Sequence, residues 1–229
     1  MDVKYTRQIA LPEIGEAGQE KLANASVLVV GAGGLGSPTL LYLTAMGIGH
    51  IGFIDNDRVG LSNLQRQIMY SAEDVGELKV EKTYTRLRAL NPDVKLESIS
   101  DRLTSANGEE IIKKYDVVVD ACDNFVTRFL VDEISSKYGI PYVYASVGDF
   151  SGQVSVFNHS GCGSYRDFVG NFDRSEDELQ VNVLGALPGI IGSIQAMEVI
   201  KIIVGCGETL SGKLLTIDTL ANEYNVYSL

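Results

Sequence analysis

Val27-Leu28-Val29-Val30-Gly31-Ala32-Gly33-Gly34-Leu35-Gly36 is the stretch that decides how this chain folds. Four apolar, β-prone residues run straight into a turn with glycine at Gly31, Gly33, Gly34 and Gly36. Ser37-Pro38 then opens a helix, since proline suits a first helical turn. Leu40, Leu41, Leu43 and Ala45 give that helix an apolar face, and Gly47 or Gly49 ends it. His50-Ile51-Gly52-Phe53-Ile54-Asp55 reads as a second strand. Strand, glycine turn, helix and strand in this order make a βαβ unit.

The alternation continues outward. Lys79 to Leu90 is helical and stops at Asn91-Pro92, because the residue before proline leaves the helical region. Val94 to Ile99 is strand-like, Gly108 to Lys114 a short helix, and Asp116 to Asp120 a buried parallel strand by its valines. Phe125 to Lys137 is helical and Tyr142 to Val147 is a strand. This pattern predicts an α/β fold, a Rossmann-like doubly wound sheet. Gln153 to Phe157 is another strand, whereas Asn158 to Asn182 is polar, acidic and without clear periodicity. Val183 to Gly205 is almost wholly apolar, and Lys213 to Ile217 and Glu223 to Tyr227 are strand-like. The sheet is therefore expected to be mixed, parallel at the start with antiparallel strands at the end. We read one domain over 1–229, a nucleotide-binding half to about 150 and a second half beyond it.

Composition narrows the function. The net charge of −11, from 30 acidic and 19 basic residues, opposes non-specific nucleic-acid binding. Residues 1–18 lack the apolar stretch of a signal peptide. Pro188, Ser193, Gln195, Glu198 and Lys201 interrupt the long apolar segment, so a buried core or interface helix is expected rather than a membrane span. A cytoplasmic location follows as an expectation. Three cysteines, Cys122, Cys162 and Cys206, have no motif spacing, which yields neither a disulfide framework nor a zinc site. With only His50 and His159, a His-rich metal centre is excluded, and any Ser-His-Asp triad would use one of these two.

The glycine turn lets backbone approach phosphate closely while the following helix directs free N–H groups at the anion. Asp55, nineteen residues after Gly36, stands where a carboxylate accepts hydrogen bonds from ribose hydroxyls. Those features alone suit a dinucleotide as well as ATP. Asp57, Ser62-Asn63-Leu64-Gln65-Arg66-Gln67 and Lys79 add cations and amides of the kind triphosphate chemistry needs. Without the glycines, Arg66 and Lys79 would read as solvated surface charges. Asp123-Asn124 follows the Asp116 to Asp120 strand, where open parallel sheets bind ligands. A carboxylate there can hold Mg²⁺, and Asp or Asn there can equally cap the next helix.

These residues together resemble the ThiF/MoeB/HesA family, bacterial relatives of ubiquitin-activating enzymes. The likeness runs through Tyr5-Thr6-Arg7-Gln8-Ile9, the glycine turn, Asp55-Asn56-Asp57, Ser62 to Gln67, and Val75-Gly76 with Lys79-Val80-Glu81. It continues in Asp120 to Asn124, Gly152-Gln153-Val154, Leu184 to Gly189 and Gly192 to Ala196. The resemblance implies that Gly34 and its neighbours underlie ATP and Asp55 takes the ribose. Asn63, Arg66 and Lys79 would contact phosphates, and Asp123 would bind Mg²⁺. Arg7 would reach the triphosphate of the other subunit of a homodimer. The substrate would be a small ubiquitin-like sulfur carrier of the ThiS or MoaD kind, ending in Gly-Gly, with its carboxylate attacking the α-phosphate. Residues beyond about 151 would bind that carrier, with a mobile crossover loop at about 158–182. Two departures stand out. Many members hold zinc with two Cys-x-x-Cys pairs; here the first pair falls at Ser164 and Asp167, and the second is missing, so structural zinc is expected to be absent. Some members carry a crossover-loop cysteine, near Glu178 in this chain, and 163–205 contains none. Activation of the carrier without covalent sulfur transfer is the expectation.

Overall fold

The computed structural model describes residues 3–170 and 182–229. Alternate side chains of the strands point to opposite faces, and here both faces are apolar. In β1 (Ser26–Val30), Val27 and Val29 enter one core while Leu28 and Val30 enter another. A strand buried on both sides needs helices above and below.

The chain supplies them in order. Helices α1 (Thr6–Ile9) and α2 (Gly15–Asn24) precede β1. After it come α3 (Gly36–Met46), β2 (His50–Ile54), α4 (Lys79–Leu90), β3 (Lys95–Ile99), α5 (Gly108–Ile112) and β4 (Val117–Asp120). Then follow α6 (Phe125–Tyr138), β5 (Tyr142–Gly148), β6 (Ser151–Phe157), α7 (Tyr165–Val169), α8 (Ala186–Val204), β7 (Lys213–Asp218) and β8 (Glu223–Ser228). The eight strands form one sheet in the order β3-β2-β1-β4-β5-β6-β7-β8. The first five are parallel, and β6, β7 and β8 continue antiparallel. The expected mixed sheet is what forms, and its order reverses beside β1, which opens a crevice between β1 and β4 at their carboxyl ends.

Leu40 and Leu43 of α3, Val80 and Leu87 of α4, and Ile191 and Val199 of α8 fill the first core. Ile112, Val131, Ile134 and Tyr165 fill the second from α5, α6 and α7. The helix α8 has the length and apolarity of a membrane span. It lies against the sheet, burying Leu187, Ile191, Ala196, Val199, Ile200 and Val204. Its buried Glu198 is paired with Lys201 and accepts the Leu210 N–H at 2.8 Å.

Two expectations need correction. The segment from Asn158 includes α7, whose five residues are too few to show a period. Gly108 to Lys114 shortens to α5. The short N-terminal helices carried too little periodicity to be foreseen. The central part of the crossover segment, with Glu178, lies outside the described residues.

Candidate functional site

The carboxyl ends of β1, β2 and β4 meet at the glycine turn. Gly31 has φ +103° and lies so close to the β4 loop that a Cβ would stand 2.5 Å from the Ala121 carbonyl oxygen. At Gly36 a Cβ would stand 2.1 Å from the Gly31 carbonyl oxygen. Both positions exclude any side chain, so the turn closes tightly and starts α3 at once. Among the described residues the N–H groups of Gly33, Gly34, Leu35 and Gly36 have no protein acceptor. They line the turn that leads into the eleven-residue helix α3, whose N-cap is Leu35 and whose first residue is Gly36, a ready anion site.

Asp55 closes one side of the turn. One of its oxygens accepts the Ala32 N–H at 2.8 Å and the other the Asp57 N–H at 2.8 Å. Each oxygen keeps a lone pair for a further donor. Tyr70 fixes the same turn by donating to the Ala32 carbonyl at 2.7 Å. Burial pushes its hydroxyl well above the ordinary 10, so it stays a donor.

The 61–67 loop lies over the turn. A Cβ on Gly34 would touch the Arg66 Cδ at 3.6 Å and the Pro188 Cβ at 3.3 Å. Arg66 is half-buried and its Nη1 donates to the Ser62 carbonyl at 3.1 Å. Asn63 spends its Oδ1 on the Gly60 N–H at 3.0 Å, while its NH₂ has no partner among the described residues. Gln65 packs with its carbonyl and side-chain oxygens against Gly185. Gln67 is buried beside Gly33, with its Oε1 unpartnered among the described residues. That amide, Gly185 and Pro188 are site residues that the sequence reading quoted without assigning a role.

Lys79 is no solvated surface charge. It is 5% exposed at the start of α4, and its Nζ donates to Asp57 at 2.8 Å. The Lys79 N–H also bonds the Asp57 carbonyl at 3.0 Å. Asp57 therefore holds Lys79 in place and is itself exposed.

Beyond β4, Asn124 caps α6 by accepting the Thr127 N–H at 2.9 Å. Asp123 is exposed; among the described residues its one side-chain bond is a long 3.4 Å contact from the Asn124 amide. Its loop begins at Ala121, against Gly31, and the capping falls to Asn124 and not to Asp123. Mg²⁺ takes one or two carboxylates and fills its remaining positions with phosphate oxygen and water. An exposed carboxylate beside an anion-binding turn fits that donor set.

Arg7 stands apart. Its helix is pinned at the far end of α3, where Gln8 donates to the Met46 carbonyl at 2.9 Å and the Tyr5 ring covers Gly47. The eleven residues of α3 put about 16 Å between that end and the glycine turn. His50 is also at the amino end of its strand, 3.4 Å from Glu97, away from the site.

Residues 5–229 match the ThiF family. The chain belongs to that family. A sulfur carrier protein adenylyltransferase from Thermus thermophilus is 45% identical over 228 residues, covering 95% of this chain and 83% of that protein. A probable molybdopterin-synthase adenylyltransferase from Porphyra purpurea is 41% identical, covering 99% of this chain and 60% of its own length. The probable adenylyltransferase/sulfurtransferase MoeZ of Mycobacterium tuberculosis is 40% identical, with 99% and 59% covered. This chain thus spans about three fifths of those two longer ThiF-family proteins. E. coli MccB, solved with ATP, superposes with a TM-score of 0.87 at 23% identity over 99% of this chain and 72% of that one. That likeness concerns the fold.

At the two positions where the resemblance implies a cysteine pair in other members, Ser164 and Asp167 are committed to each other. The Asp167 carboxylate accepts the Ser164 N–H and hydroxyl at 2.8 Å each, and Ser164 Oγ accepts the Asp167 N–H at 3.2 Å. This capping box starts α7. A hydroxyl and a carboxylate already spent on backbone do not fit a zinc–thiolate site.

Proposed function

We propose that this chain adenylates the C-terminal Gly-Gly carboxylate of a small ubiquitin-like sulfur carrier protein, consuming ATP and releasing pyrophosphate. The observation that carries this reading is the gathering of free turn N–H groups, Arg66, Lys79 and an exposed Asp123 around one crevice. The adenylyltransferase names of its family relatives place the chemistry in the same class.

In this reading the turn N–H groups and the Asn63 amide hold the triphosphate, and Asp55 accepts the ribose hydroxyls. Arg66 and Lys79 neutralise the charge that grows as a carboxylate oxygen attacks the α-phosphorus and pyrophosphate leaves. Lys79 arrives already oriented by Asp57, so little reorganisation is needed at the moment of reaction. Asp123 would hold Mg²⁺, which would supply further charge compensation on the phosphates when bound. The protein works as a homodimer in which Arg7 reaches the partner's triphosphate. Its exposure, its lack of any bond among the described residues, and its distance from the turn in its own chain support that arrangement. The antiparallel strand β8, with Tyr224 and Val226 exposed, and the turn before it, with Leu220 exposed, offer the carrier an apolar surface. Sulfur transfer falls to another protein, and the enzyme is cytoplasmic.

ATP–pyrophosphate exchange that requires a carrier ending in Gly-Gly is the test. Absence of exchange with such carriers, together with stabilisation by NAD rather than ATP–Mg²⁺, would sink the reading.

A further inference from the structure

Beneath the crevice lies a charged cluster that the proposed chemistry does not use directly. Asp120, the last residue of β4, is fully buried. Its carboxylate accepts the Tyr142 hydroxyl at 2.7 Å, the Cys122 N–H at 3.0 Å and the Cys122 thiol at 2.8 Å. Arg128, on α6 and 7% exposed, stands 3.2 Å from the same carboxylate. Its Nη2 donates to the Cys122 carbonyl at 3.1 Å and to the Ala145 carbonyl of β5 at 3.2 Å. From the other face Gln195 of α8 donates to the Asp120 carbonyl at 2.7 Å.

The Cys122 residue is therefore held at both ends, its N–H by Asp120 and its C=O by Arg128. The next residue but one, Asn124, is held by its capping bond. Asp123 lies between two fixed residues, with its side chain turned to solvent. A buried ion pair adds little stability over an apolar pair of equal volume. What this one adds is a loop with one geometry.

We propose that Arg128 and Asp120 are positioning residues, whose buried pair locks the loop of residues 121–124 so that Asp123 faces the phosphates and their divalent ion. This inference rests on the adenylation reading of the crevice. Arg128→Lys keeps the charge opposite Asp120 but cannot reach two carbonyls as well. Mn²⁺ binding to the protein–ATP complex, followed by electron paramagnetic resonance, should weaken about tenfold in that variant. Amide exchange at 121–124 should accelerate while the rest of the sheet keeps its protection, and excess Mg²⁺ should restore most of the exchange rate. Unchanged Mn²⁺ affinity in folded Arg128→Lys would overturn the proposal and leave the pair a structural one. Should that variant not fold, Tyr142→Phe removes one bond to Asp120 and leaves Arg128. A smaller loss of Mn²⁺ affinity is then expected, and an unaltered affinity overturns the proposal. If the unaltered protein itself binds no Mn²⁺ with ATP, the reading of the crevice fails instead, so the two failures are distinguishable.

Discussion

The parallel and antiparallel halves of the sheet treat their surfaces in opposite ways. From β2 to β5 the strands are covered by helices on both faces, and the glycine turn lies at their carboxyl ends. In β8 every residue is exposed, including Tyr224, Val226 and Tyr227. The first half presents fixed donors and charges to a small anion; the second presents a broad apolar strip suited to a larger partner. The proposed function divides chemistry from recognition along one sheet, and on that reading substitutions should sort the same way.

The largest effect is expected from Asp123→Ala. Pyrophosphate exchange should fall by about a thousandfold or more if the metal's charge stabilises the transition state, while the melting temperature stays near that of the parent. An active Asp123→Ala would break the division outright. Lys79→Ala should lower kcat/KM by about a hundredfold, and Asp57→Asn by about tenfold, because the latter loosens Lys79 without removing it. Equal losses from both would show that Asp57 itself meets the nucleotide. Gly36→Ala sharpens the comparison from the stability side. Its Cβ collides with the Gly31 carbonyl, and chemical denaturation should register a loss of about 1–3 kcal/mol. In the antiparallel half, a Tyr224→Ser, Val226→Ser double variant should change stability by less than about 0.5 kcal/mol per site. The KM for the carrier should rise several-fold with kcat unchanged. A fall in kcat instead would tie β8 to the chemistry.

The smallest effect concerns pH. Burial holds the His50 imidazole below its ordinary 6.5, so folding favours the neutral ring. That contribution is complete above pH 6.5 and is lost as pH falls toward and past the folded value. Melting temperatures at pH 7.5 and 5.5 should differ less in His50→Gln than in the parent.

The β1–turn–α3–β2 unit was legible because its signals are local: four valine or leucine residues, four glycines, and a proline in the first helical turn. The helix α8 was legible because it is apolar on nearly every side. The charged set around the turn was legible from residue type and order, though not from burial. Lys79 and Asp57 are 22 positions apart, and nothing between them announces their pairing. Arg128 is likewise one basic residue in a mixed helix; its ties to Asp120, Cys122 and Ala145 exist only once α6 docks on the sheet. The Ser164–Asp167 spacing did carry a readable helix-start signal. It was obscured by the polar composition around it.

That last turn has a consequence for how the protein is made. Ser164 and Asp167 close this corner with side-chain oxygens and backbone N–H groups alone. The corner can form as fast as neighbouring side chains find each other, with each of these bonds made within four consecutive residues. Its bonds contain no thiol, and the neighbouring Cys162 lies outside them.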